Sequence, residues 1–190
     1  ISGFKKQYPQ VHYDLWSCNS LDVVERLEKG LIDLAFIREP FDHDKFNYYP
    51  ILKEKWLILV NKAHPLSHKN IVSLKDLSQE ELLVPTQRKE EVSQWFSDQH
   101  LEANIVCGYS PLMNAIVMVE NNLGIALLPE SCRQMDFEEN VVIKDILEER
   151  MSEVSLLWRK EYSLSASATR FLDYVKAHPI NKKDLTIEVS

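Results

Sequence analysis

Residues 11–37 and residues 105–128 run through one order of elements: an extended segment, a serine-bearing cap, an amphipathic helix, a glycine and a second apolar strand. In the first stretch Val11, Tyr13 and Leu15 alternate with His12 and Asp14, the period of a half-buried strand. Ser17, Cys18, Asn19 and Ser20 then precede Leu21, Val24 and Leu27 on one helical face, and Gly30 is placed to stop that helix. Residues 31–37 follow as a short apolar run, read as a buried strand. The spacing predicts a right-handed parallel crossover. In the second stretch Ile105, Val106 and Cys107 read as a strand, and Ser110 caps a helix with Pro111 at its first position. Leu112, Ile116 and Val119 share a face, Gly124 ends the helix, and residues 125–128 form a buried strand closed by Pro129. No literal sequence repeat accompanies this shared order.

The rest of the chain reads in the same terms. Residues 1–8 look like the end of a helix stopped by Pro9, and residues 38–46 like a charged loop. Residues 48–53 and 55–60 are two extended segments, followed by a loop holding His64-Pro65-Leu66 and a helical turn after Ser73. Leu82-Leu83-Val84 is a strand ended by Pro85, and Thr86-Gln87-Arg88 is a turn before a helix carrying Val92, Trp95 and Phe96. Residues 141–144 and 154–158 are later strands, and residues 165–177 a helix with Phe171, Leu172 and Val175. Trp56, Trp95, Phe96 and Trp158 sit among periodic apolar neighbours and belong to the core. Segments near 48–60 and 154–158 are placed to cross between two lobes, so the expected architecture is α/β with two interlobe connections.

Several chemistries are excluded. Lys and Arg number 22 against 29 Asp and Glu, a net charge of −7. Binding a phosphate backbone relies on releasing counterions with cations, so this segment is a poor nucleic-acid grip by itself. Four glycines, Gly3, Gly30, Gly108 and Gly124, cannot assemble a dinucleotide fingerprint, a phosphate loop or a nucleophile elbow. Cys18, Cys107 and Cys132 are odd in number and far apart, which reads as three reduced thiols. His64 and His68 have the spacing of two metal ligands, but Pro65 makes the segment a turn, and no metal is expected there. Neighbouring carboxylates such as Glu80-Glu81 diverge by about 100° on a helix and form no catalytic pair. No cofactor and no catalytic residue is indicated. The longest apolar runs are too short to span a bilayer, and no signal-peptide pattern stands at Ile1, which reads as a cytoplasmic chain.

A set of short motifs carries a resemblance. Phe4-x-x-x-Tyr8-Pro9-x-Val11 is followed by Leu27-x-x-Gly30-x-x-Asp33-Leu34-Ala35-Phe36 and by His64-Pro65-Leu66. Then come Asp76-Leu77, Gly124-Ile125-Ala126-Leu127-Leu128-Pro129 and Leu157-Trp158-Arg159-Lys160. In this order and spacing they resemble the effector-binding domain of LysR-type transcriptional regulators. The resemblance implies two Rossmann-like subdomains with an interlobe cleft, a periplasmic-binding-protein-like fold of type 2. It places subdomain I at residues 1–54 and 159–190, and subdomain II at residues 55–158. It also implies a homodimer or dimer of dimers, and DNA contact only through an N-terminal helix-turn-helix domain, which this sequence does not contain. The family domain opens with a strand before the helix whose tail is residues 4–8. That first strand is missing here, so the sequence reads as part of a larger protein.

Open α/β sheets bind ligands beyond the carboxyl ends of their strands. Those ends carry Ser17, Cys18, Asn19, Ser20 and Arg38 in one lobe, and Thr86, Gln87, Arg88 and Ser110 in the other. Helix N-termini with serine and threonine hydroxyls favour anions, and arginine adds bidentate carboxylate recognition. The expected effector is therefore a small organic anion. Each residue also has a plain structural reading: the Ser and Asn as caps, Arg38 and Arg88 as surface charges, Cys18 as a buried thiol. The rival function is a transport solute-binding protein with the same cleft. An enzyme comes third, since no acid–base pair can be built.

Overall fold

The computed structural model describes residues 1–179. The described residues divide into two compact units, one made of Ile1–Lys53 and residues 153–179, the other of Glu54–Ser152. It passes out within β2 (Phe46–Asn61) and returns within β8 (Met151–Arg159). The two extended segments expected at 48–53 and 55–60 are thus one 16-residue strand. The return falls at Ser152/Glu153, earlier than the expected boundary at Trp158, and residues 180–190 of the expected subdomain I lie outside the described residues.

In the first unit α1 (Ser2–Gln7) packs its buried Phe4 edge-on against Phe171 and Tyr174 of α6 (Ala166–Ala177), with centroids 5.2 and 5.4 Å apart. Helix α2 (Ser20–Glu28) ends where expected: Gly30 has φ +71°, and the amides of Gly30 and Leu31 donate to Leu27 and Arg26 carbonyls. That left-handed turn is one glycine adopts without steric cost. Strand β1 (Ala35–Arg38) pairs antiparallel with β8, Ala35 opposite Leu157 and Arg38 opposite Val154. Leu27, Ala35, Ile37, Phe46 and Leu157 form one core, and Leu156, Leu172 and Val175 another.

Three expectations fail in this unit. Residues 11–15 form no strand, and Leu15 is 72 % exposed. An extended segment is held by ladder hydrogen bonds, and among the described residues no strand pairs with this one. The parallel crossover is consequently not made, because β1 takes an antiparallel partner from the far end of the chain. The second apolar run is also shorter than expected: it becomes a strand only at Ala35, and Phe36 and Leu21 face solvent.

The second unit is laid out more nearly as its sequence suggests. Strand β4 (Leu82–Pro85) lies between parallel neighbours β5 (Ile105–Tyr109) and β6 (Ile125–Pro129). β2 joins antiparallel to β6 and to β7 (Val141–Ile146), which also pairs with the short β3 (Ile71–Val72). Helix α3 (Leu74–Leu77) has a reciprocal cap between Ser73 and Asp76. Helices α4 (Lys89–Ser97) and α5 (Leu112–Glu120) cover the sheet, α4 burying Val92, Trp95 and Phe96 against Trp56 and Ile58. α5 buries Ala115, Ile116 and Val119 with Leu57 and Leu59.

Two details of α5 differ from expectation. Pro111 is the N-cap rather than the first helical residue, and no side chain, Ser110 included, caps that end. At the other end Asn122, not Gly124, turns the chain with φ +58°, and the amides of Asn122 and Leu123 donate to Val119 and Met118 carbonyls. Asparagine tolerates the left-handed region better than other residues with a Cβ, so it can take glycine's usual part.

Candidate functional site

In the first unit the loop 15–19 leads into α2. Ser17 and Cys18 are exposed, so Cys18 is not the buried thiol of the structural reading, and Asn19 and Ser20 are half-buried. Asn19 is fully engaged as the cap: its Oδ1 accepts from the Asp22 amide at 3.0 Å and its Nδ2 donates to Asp22 Oδ2 at 2.6 Å. The Asp22 carboxylate in the first turn opposes an anion at that spot. Trp16, 53 % exposed, is stacked by Arg26, whose Cζ is 3.2 Å from the ring centroid. Arg38 ends β1, and the Glu39 amide donates to the Glu153 carbonyl at 2.9 Å, which fixes the backbone just past it.

In the second unit the carboxyl ends of β4 and β5 lie side by side, with Pro85 opposite Tyr109. The Thr86 hydroxyl donates to the Tyr109 carbonyl at 3.2 Å, and the Tyr109 hydroxyl donates to the Leu127 carbonyl at 2.5 Å. These two bonds lace β4, β5 and β6 together at one end. Gln87 and Ser110 are exposed, and the Ser110 carbonyl accepts from Asn114 Nδ2 at 3.1 Å. Arg88 is neither a surface charge nor an open clamp. It is buried, and its Nη1 donates to Glu91 Oε2 at 2.8 Å.

The structure adds a residue that sequence reasoning missed. Lys89, the first residue of α4, folds back over Gly108. A Cβ built on that glycine would lie 2.4 Å from Lys89 Cε, 2.9 Å from Lys89 Nζ and 3.1 Å from Thr86 Oγ1. The signal available in the sequence was a lysine at the start of a helix, where the dipole disfavours a cation.

The segment after His64 is the turn that Pro65 suggests. His64 caps a short 3₁₀ turn, its Nδ1 accepting from the Leu66 amide at 3.2 Å and its Nε2 lying 3.2 Å from Glu80 Oε2. Among the described residues no group of three His, Cys, Asp or Glu could hold a metal ion. None of their helices is long and apolar enough to cross a membrane.

Comparison with known proteins places these loops in a wider context. The family profile described as the LysR substrate binding domain matches residues 1–179. A relative from Bacillus subtilis, the uncharacterized HTH-type transcriptional regulator YwbI, is 27 % identical over 193 residues, covering 94 % of this chain and 60 % of its own length. The chain thus spans about three fifths of such relatives. The regulatory domain of Synechocystis CcmR in complex with 2-PG is similar at TM-score 0.81 and 20 % identity, covering 95 % of this chain and 89 % of that one. The effector binding domain of QuiR in complex with shikimate gives TM-score 0.82 at 18 % identity, covering 94 % and 90 %. At these identities the two structures bear on the fold, which is periplasmic-binding-protein-like of type 2.

Proposed function

We propose that this chain, which belongs to the LysR substrate binding domain family, is the ligand-sensing part of a cytoplasmic transcriptional regulator and takes a small organic anion at its strand-end loops. The family is one of transcriptional regulators rather than enzymes. The observation that carries the anion is the polar and cationic chemistry at the start of α2 and at the carboxyl ends of β1, β4 and β5. In the first unit Arg38 closes β1 while Ser17, Cys18, Asn19 and Ser20 lead into α2; in the second, Thr86, Gln87, Arg88 and Ser110 follow β4 and β5. Shikimate, the ligand in the QuiR complex, is itself a carboxylate.

Asn19 and Arg88 serve the reading indirectly, since their polar groups are engaged by Asp22 and Glu91. They hold the loops that present their neighbours. A ligand that binds one conformation of the domain better than another shifts the population by its differential affinity, and no further. DNA contact belongs to a helix-turn-helix part of the intact regulator, in keeping with 22 basic against 29 acidic residues here.

A thermal-shift screen of small carboxylates, with shikimate included, tests the reading on the full chain. At least one carboxylate should raise the melting temperature saturably, and Arg38→Ala should weaken it about tenfold or more, as expected for a lost charge-assisted contact. Stabilisation by neutral sugars alone would refute the anionic class. A carboxylate that binds the Arg38→Ala protein unchanged removes Arg38 from the site.

A further inference from the structure

We infer that Glu54 and Lys55, the first two residues of β2 in the second unit, clasp the 3₁₀ helix Glu130–Gln134 at two points, so that this helix moves with the chain where it passes between the units. The clasp stands without a ligand, and only its use in signalling rests on the effector reading above.

The first point is a cap supplied from another strand. β2 and β6 pair antiparallel as far as Trp56 opposite Pro129, and the same register carried two residues further sets Glu54 against Ser131. There the chain has left the strand: Pro129 is the N-cap of the 3₁₀ helix and offers no side-chain cap. The Glu54 carboxylate takes that part, its Oε2 accepting from the Ser131 amide at 2.6 Å. Glu54 is 2 % exposed. Taking a carboxylate out of water is costly unless donors compensate it, and a charge-assisted bond from a helix-end amide is among the stronger ones. A ladder that ends at Pro129 is thus continued by a side chain.

The second point is a chain of ion pairs. Lys55 Nζ lies 2.5 Å from Asp145 Oδ1, and Arg133 Nη2 donates to Asp145 Oδ2 at 2.6 Å. Asp145 stands on β7, the neighbour of β2, opposite Leu57. Arg133 belongs to the same 3₁₀ helix as Ser131. Successive strand residues point to opposite faces of a sheet, so Glu54 and Lys55 hold the helix from both faces. One staple would leave it free to rock. Two, from adjacent residues on opposite faces, fix it to the crossing strand.

Position gives the clasp its use. The chain leaves the first unit between Lys53 and Glu54, so the clasped residues are the first to feel a change in the backbone there. The 3₁₀ helix opens at the carboxyl end of β6, and β6 runs parallel to β4, whose own carboxyl end leads into Thr86, Gln87 and Arg88. A movement of the crossing strand is thereby delivered to the strand-end loops of the second unit. By linkage, a ligand held at those loops biases the crossing in return.

The test follows the full chain by ¹⁵N NMR, with no ligand. Glu54→Ala should speed exchange of the Ser131 amide about tenfold or more, and Glu54→Gln, which keeps an acceptor, about threefold or less. Transmission is read with Lys53→Gly, which adds backbone freedom just before the crossing and removes an exposed side chain. In the natural background it should shift the amides of Ser131 and Arg133. With Glu54→Ala the response at Ser131 should fall below that at Arg133. With Asp145→Asn added, both should fall silent while β4 keeps its native resonances. A 3₁₀ helix that ignores Lys53→Gly, or that responds equally after both points are cut, overturns the clasp. If the double variant does not fold, the single one decides: a Ser131 response that is the same with and without Glu54 overturns it too. A carboxylate screen without a hit would refute the effector reading and leave these outcomes untouched.

Discussion

Asn61 is the residue whose replacement should discriminate most sharply between a packing account and a polar account of the second unit. It ends β2 and is 8 % exposed. Its Nδ2 donates to the Val119 carbonyl at 3.2 Å and the Glu120 carbonyl at 2.9 Å, while its Oδ1 accepts from the Ala63 amide at 2.9 Å. One side chain therefore ties the last turn of α5 to the end of the central strand. Both carbonyls have a second donor, Asn122 N at 2.9 Å for Val119 and Asn140 Nδ2 at 3.1 Å for Glu120. Asn61→Ala thus removes three bonds without stranding either carbonyl, and at about 0.5–1.5 kcal/mol each the cost is about 1.5–4.5 kcal/mol. Asn61→Asp keeps the shape and the bond to Ala63, but near neutral pH it aims a buried carboxylate at two carbonyls at the negative end of a helix. It should cost more than alanine. The same confrontation raises the folded-state pKa of the introduced carboxyl above its unfolded value. The relief is then present below the unfolded pKa and is lost as pH rises through the folded one. Urea unfolding followed by the fluorescence of Trp56 and Trp95, both buried in this unit, gives the two costs near neutral pH and at about pH 4.5, close to ordinary carboxyl values. The aspartate variant should recover relative to the natural protein in acid, and the alanine variant should not. An aspartate variant no less stable than the alanine one at neutral pH, or a gap that ignores pH, would refute the reasoning.

Two further outcomes follow from other parts of the molecule. Burial pushes the Asp145 carboxyl up, but Lys55 at 2.5 Å and Arg133 at 2.6 Å more than offset it and hold it below the usual range, while the bond to Asp145 pushes Lys55 up. The carboxyl's contribution to stability is present above its unfolded pKa and lost as pH falls through the lowered one; the lysine's is lost as pH rises through its raised one. Asp145→Asn should therefore lower stability at neutral pH and flatten both limbs of the stability–pH curve, and limbs as steep as before would count against the network. For the assembly, β5 ends its sheet, and Val106 on β5 faces water, as do Met113 and Val117 on α5. We propose this face as the surface of the homodimer that the family resemblance implies: light scattering should give a dimer that Val117→Arg dissociates, and a monomer at all concentrations refutes it.

Much of the local structure was legible along the chain. Ser73, Asn19 and Ser165 each accept a first-turn amide as their positions suggest, and Gly30 closes α2. The apolar runs 82–84 and 125–128 are buried strands, and Trp56, Trp95 and Phe96 are core. The candidate site was legible as a set of loops, not as chemistry. Arg88 looked like Arg38 until Glu91, three residues on, proved to hold it.

The division follows from the range of the forces. Periodicity, capping and left-handed turns act over a few residues, so hydrophobic spacing and a serine or glycine at the right offset determine them before any tertiary contact forms. Strand partnership acts between segments far apart in the chain. Residues 11–15 have the alternation of a strand and remain a loop, while Ala35–Arg38 finds its partner in β8, because a ladder is a property of two segments and only the folded arrangement decides which two meet.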